Sequence, residues 1–155
     1  MSETVSFPSN GDTAGGCLAT PESGSGPGVL VVQEWWGLND QIRGVADNLA
    51  AEGFVALAPD LYHGELAHHD EMDKANHLMT TLDQARAARD MAGAVDYLLG
   101  RTEVTGDSIG VLGFCMGGML ALVLAAQEGD KVAVVVPWYG APLGDDAPDL
   151  SGLTA

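Results

Sequence analysis

The sequence predicts an α/β chain, an open, doubly wound and mostly parallel sheet with helices on both faces. Apolar runs of strand length, "VLVVQ", "FVALAP", "SIGVLGF" and "VAVVVPWYG", alternate with longer segments whose apolar residues recur at helical spacing. The runs are apolar without interruption, as strands buried on both faces must be, and parallel neighbours of that kind are joined by crossover helices. At 155 residues, 46% of them hydrophobic, the chain can build one sizeable core, so one domain over 1–155 is expected.

Before Val29, "TVSFPSNGDTAGGCLATPE" reads as a short antiparallel hairpin turning near Asn10 and Gly11. Residues 1–28 therefore form an N-terminal hairpin, and Cys17 is expected to be a structural residue of an edge strand. Val29 to Gln33 is the first buried strand. In "LNDQIRGVADNLAAEG", Leu38, Ile42, Val45, Ala46 and Leu49 keep helical period, Asn39 and Asp40 suit the cap, and Gly53 suits the stop. "FVALAP" is a second strand closed by Pro59. Residues 63–81 are polar and carry histidines, and they read as a mobile solvated segment. "LDQARAARDMAGAVDYLLG" regains helical period through Leu82, Ala85, Ala88, Ala92, Val95 and Leu99 and ends at Gly100. "SIGVLGF" is a third strand, "MGGMLALVLAAQEG" the helix after it, and "VAVVVPWYG" a fourth strand ended by Pro137. The core βα units thus span 29–140, and 141–155 is expected to be loop.

Charge and cysteine content narrow the function. Twenty-two acidic against six basic residues give a net charge of −16, which repels nucleic-acid phosphates and anionic lipid. No nucleic-acid or membrane partner is expected. The acids are spread along the chain, as on a solvated acidic surface of the kind a salt-rich cytoplasm favours. No basic, then apolar leader opens the sequence, so a cytoplasmic location is expected. Cys17 and Cys115 are too few for a disulfide framework and have no metal-type spacing. Ser108 to Gln127 is uncharged and long enough to span a bilayer. Its glycines cluster midway, however, where the residue types switch from β-branched to helix-forming, and a strand, a tight turn and a helix are predicted, with Met119, Leu122 and Val123 against the sheet.

The turn within that stretch is Gly113-Phe114-Cys115-Met116-Gly117. A strand running straight into a helix strains its junction residue, and small neighbours two positions away let the chain fold back. This is a nucleophile elbow with cysteine in place of the more usual serine. It places the sulfur at the positive end of a helix and the Met116 N–H where an oxyanion would form. Packing at a strand end is the alternative role for Cys115. Glu34 directly follows a neighbouring buried run, flanked by Trp35, Trp36 and Gly37, so an acid stands at the same carboxyl edge of the sheet, where ligands of such sheets bind.

With "QEWWG", "APDLY" and "GFCMGG" in this order and spacing, the chain resembles the dienelactone hydrolase family of the α/β-hydrolase fold, over essentially all its length. The resemblance implies a hydrolase of a small-molecule carboxylic ester or enol-lactone, with no cofactor and no metal. It further implies Cys115 as nucleophile, Glu34 as the carboxylate that helps generate its thiolate, and Trp35 and Met116 as backbone donors to an oxyanion hole. Trp36 and Lys74 become candidates for gripping substrate, Lys74 also reading as a solvated surface charge. The fold orders its triad nucleophile, acid, histidine, yet the last histidine here is His77, and Asp145, Asp146 and Asp149 lie in the final loop. The chain therefore corresponds to the N-terminal two-thirds of such an enzyme, truncated before the last strands, and is expected to be inactive alone. His63, His68 or His69 as a substitute base, or His68, His69 and Asp70 as a metal site, are lesser alternatives. A binding module that keeps the crevice without the triad, and a thiol switch at Cys115, remain open beside the hydrolase.

Overall fold

The computed structural model describes residues 2–9, 11–140 and 148–151. Asn10, Asp145, Asp146 and most of the expected final loop lie outside these. Six strands, β1 (Glu3–Ser9), β2 (Asp12–Ala19), β3 (Gly26–Val32), β4 (Val55–Pro59), β5 (Val104–Phe114) and β6 (Val132–Trp138), form one sheet in the order β1-β2-β4-β3-β5-β6. β4, β3, β5 and β6 are parallel, while β1 and β2 form the antiparallel hairpin, which joins the sheet through β2 against β4.

Helices α1 (Asp40–Ala51), α3 (Gln84–Leu99) and α4 (Met116–Glu128) cover both faces. On one side α1 lies over β2, β3 and β4, burying Ile42 beside Cys17, Val31 and Ala58, and Ala46 and Ala50 beside Ala19 and Ala56. On the other, α3 and α4 close a larger core around Leu30, Val32, Leu57, Met91, Leu98, Val111 and Leu124. Asn39 caps α1 by accepting the Ile42 N–H at 3.0 Å, and Gly53 follows the helix at φ 98°, a backbone that favours glycine.

Several expectations are corrected. Cys17 is fully buried, but β2 lies between β1 and β4, so its strand is interior and β1 is the edge. Residues 63–81 are not all irregular, since Met72–Thr80 form α2. Ala75 is buried and Leu78 and Met79 pack partly against the core, a stripe of only about one turn inside a polar, histidine-bearing stretch. Pro137 does not end β6. The strand continues to Trp138, because on the outermost strand a missing N–H can face away from the ladder. In α4 the buried face runs through Gly117, Leu120, Ala121, Leu124 and Ala125, and Met119, Leu122 and Val123 are only half-buried. The helix starts one turn earlier against the sheet than its bulkier residues suggest, since the glycines themselves make the contact. Ser108 to Gln127 is strand, turn and helix, and no helix of the described residues is long and apolar enough to cross a membrane.

Candidate active site

β3 and β5 are adjacent and parallel, with Val32 opposite Gly113. Both chains leave the sheet at the same edge, and two residues further on they reach Glu34 and Cys115. Cys115 stands at φ 54° and ψ −118°, a left-handed backbone that a residue with a Cβ rarely adopts, and it is the N-cap of α4. Its own N–H is held by the Trp138 carbonyl at 3.0 Å, and its carbonyl accepts the N–H groups of Gly118 (3.0 Å) and Met119 (3.2 Å). The turn is locked from both sides.

The flanking glycines are required by distance. A Cβ on Gly113 would sit 2.1 Å from the Gly117 carbonyl oxygen, and one on Gly117 only 2.4 Å from that of Gln33. The first turn of α4 therefore lies directly on the ends of β3 and β5, and the partly exposed thiol is held at the mouth of the crevice.

Two tyrosines, which the strand-and-motif pattern did not single out, complete the site. The Tyr62 hydroxyl donates to the Trp35 carbonyl at 3.1 Å and lies 3.6 Å from the Met116 sulfur, so one phenol touches both residues expected to supply oxyanion donors. Burial, and then the neighbouring Cys115, push its phenol up to about 12. Among the described residues neither the Trp35 nor the Met116 N–H is hydrogen-bonded. The Tyr139 hydroxyl donates to Glu34 Oε1 at 2.9 Å, with its ring 6.3 Å from that of Phe114. Trp35 and Trp36 meet edge to face at 5.1 Å, and Trp36 carries the His69 ring at 4.9 Å.

Other candidates lie apart. Lys74 sits on α2 with its ammonium 3.8 Å from Glu65, both well exposed, and no contact joins it to Glu34 or Cys115 among the described residues. His63 Nε2 meets Asp90 Oδ2 at 2.7 Å; Asp90 is buried and also accepts from the Ser9 hydroxyl. This occupies His63 in packing the loop after β4 against α3. Among the described residues no group of three or more His, Cys, Asp or Glu side chains could hold a metal ion, and the reading of His68, His69 and Asp70 as one finds no such cluster.

A profile of the Dienelactone hydrolase family matches residues 14–151. Protein usf of Aquifex pyrophilus is 40% identical over 148 residues, covering 92% of this chain and 63% of that protein. A candidate carboxymethylenebutenolidase of Aquifex aeolicus is 39% identical over the same shares. The crystal structure of a candidate dienelactone hydrolase from Klebsiella pneumoniae superposes with a TM-score of 0.81 at 28% identity, covering 96% of this chain and 65% of that one. The chain thus spans less than two-thirds of the length of these relatives.

Proposed function

This chain belongs to the dienelactone hydrolase family, a family of hydrolases, and on that premise we propose that it carries the nucleophilic half of a carboxylic ester or enol-lactone hydrolase. The observation that carries this reading is Cys115 at φ 54° on the N-terminus of α4, with the N–H groups of Trp35 and Met116 unbonded among the described residues. A thiolate there attacks the substrate carbonyl carbon, and the negative charge that develops on its oxygen is met by those N–H groups and by the positive helix end. As the carbonyl re-forms, the ester C–O bond breaks, the leaving oxygen takes the proton given up by the thiol, and a thioester at Cys115 remains. Water then releases the acid. Glu34 is the carboxylate that receives the thiol proton once substrate has arrived, although in the free enzyme its negative charge keeps the thiol protonated, and Trp36 walls the crevice for an apolar or unsaturated substrate. Lys74, paired with Glu65 on α2, is a candidate to receive a substrate carboxylate on release from that partner.

No histidine follows Cys115 within these 155 residues, and turnover needs one to shuttle the proton and activate water. Such a group is worth on the order of 10²–10⁴-fold for each proton transfer. Incubated with an activated ester such as p-nitrophenyl acetate, the 155-residue chain should acquire one acyl group on Cys115, seen by peptide mass spectrometry, and then turn over little or not at all. Cys115→Ala should lose the adduct and Cys17→Ala should keep it. Multiple turnover that survives Cys115→Ala places the reaction elsewhere, and saturable ligand binding with no adduct at Cys115 makes the chain a binding module.

A further inference from the structure

We infer that Tyr139 is a positioning residue for this reaction: its hydroxyl holds the Glu34 carboxylate at the carboxyl edge of the sheet and so sets the proton affinity of the Cys115 thiol. The inference rests on the reading of Cys115 as nucleophile and deepens it. Three features of Tyr139 are hard to account for as packing. It adopts φ 39°, a left-handed backbone for a residue with a bulky side chain. Its side chain is largely exposed, 67%, so little apolar burial offsets that strain. What the conformation gains is the 2.9 Å hydrogen bond to Glu34 Oε1, across a gap of more than a hundred residues in sequence.

The backbone just before it is tied to the elbow, since the Trp138 carbonyl accepts the Cys115 N–H. Tyr139 is thus anchored to the nucleophile through the main chain and to the carboxylate through its side chain. Among the described residues no hydrogen bond joins Glu34 to the thiol. Among the described residues, Tyr62, from the turn after β4, and Tyr139, beyond β6, are close enough to the thiol to feel its charge, and the Tyr139 hydroxyl is in turn bonded to Glu34. Partial loss of hydration at the hydroxyl, even though the ring is largely exposed, then its bond to Glu34 and the nearby charges of Glu34 and Cys115, push Tyr139 up to about 12, which keeps it a donor. A donor on the carboxylate spreads and partly offsets its negative charge. Without the donor, a carboxylate at the same sheet edge as the thiol keeps its full charge, which opposes formation of a second anion there.

The test is the pH profile of Cys115 alkylation by iodoacetamide, followed at that residue by mass spectrometry in the whole 155-residue chain. Tyr139→Phe keeps the ring and removes only the hydroxyl. It should raise the midpoint of the profile by about half a pH unit or more, and circular dichroism should show the fold unchanged. Glu34→Gln should lower the midpoint, and adding Tyr139→Phe to Glu34→Gln should then change nothing. An unaltered midpoint in Tyr139→Phe overturns the inference, as does a shift of equal size in both backgrounds, which would mean a general loosening of the elbow. Alkylation of Cys115 needs no ester, so this result is independent of the acylation experiment: an acyl adduct with an unmoved midpoint removes the role of Tyr139 alone, and a moved midpoint without acylation removes the hydrolase reading alone.

Discussion

At Cys115 the requirements of folding and of chemistry oppose one another. Its left-handed backbone costs on the order of 1–3 kcal/mol in a residue with a Cβ, and the surrounding hydrogen bonds to Trp138, Gly118 and Met119 maintain it. If the strain belongs to the backbone, Cys115→Gly should be about 1 kcal/mol more stable than Cys115→Ala, although glycine ordinarily destabilises an ordered segment. Urea unfolding midpoints of the two variants decide this, and the reverse order would mean that the turn is relaxed. Cys115 and its glycines were legible in the sequence because strand, elbow and helix are contiguous. Tyr62 and Tyr139 were not, because what matters in them is a contact with Trp35 or Glu34 from a distant part of the chain.

Among the elements, the buried strands were readable from uninterrupted apolar runs, and α1 from its period and its Asn39 cap. α2 was not, since its stripe of Ala75, Leu78 and Met79 spans about one turn and is easily read as isolated apolar residues in a polar segment. The bracing of α3 was equally hidden. Asp90, 2% exposed on that helix, accepts from Ser9 at the end of β1 and meets His63 beyond β4, with the Arg86 guanidinium 4.0 Å away. One carboxylate thus ties a helix, an edge strand and the turn that carries Tyr62. Removing Asp90 leaves the buried Ser9 hydroxyl without its acceptor, while His63 and Arg86, about a third exposed, can turn to water, so Asp90→Ala should cost about 1–3 kcal/mol in chemical denaturation. Asp90→Asn keeps a hydrogen-bonding side chain of the same shape and should cost less. Equal losses in the two variants would show that shape and not hydrogen bonding makes the contribution.

For the molecule as a whole, opposing surface terms meet at β6. Val134, Val136 and Trp138, 56%, 41% and 53% exposed, recur at every second position of β6, the outermost strand among the described residues, so they present one apolar face beside a backbone edge that no described strand pairs. Such an edge favours pairing with another chain. Against it stands the net charge of −16 spread over a 155-residue surface, which makes two copies repel. The repulsion is long-ranged and screened by salt, with a Debye length of about 10 Å at 0.1 M falling to about 3 Å at 1 M, whereas apolar contact is not weakened in this way. The 155-residue chain should therefore be mostly monomeric in dilute buffer and associate as sodium chloride approaches 1 M, measured by sedimentation velocity at a fixed protein concentration. Val134→Thr with Val136→Thr keeps β-branched side chains suited to a strand while removing apolar surface, and this pair should abolish most of the salt-driven association. Association that persists in the double variant would place the contact away from β6, and association that weakens with salt would show that charge attracts the copies and does not hold them apart.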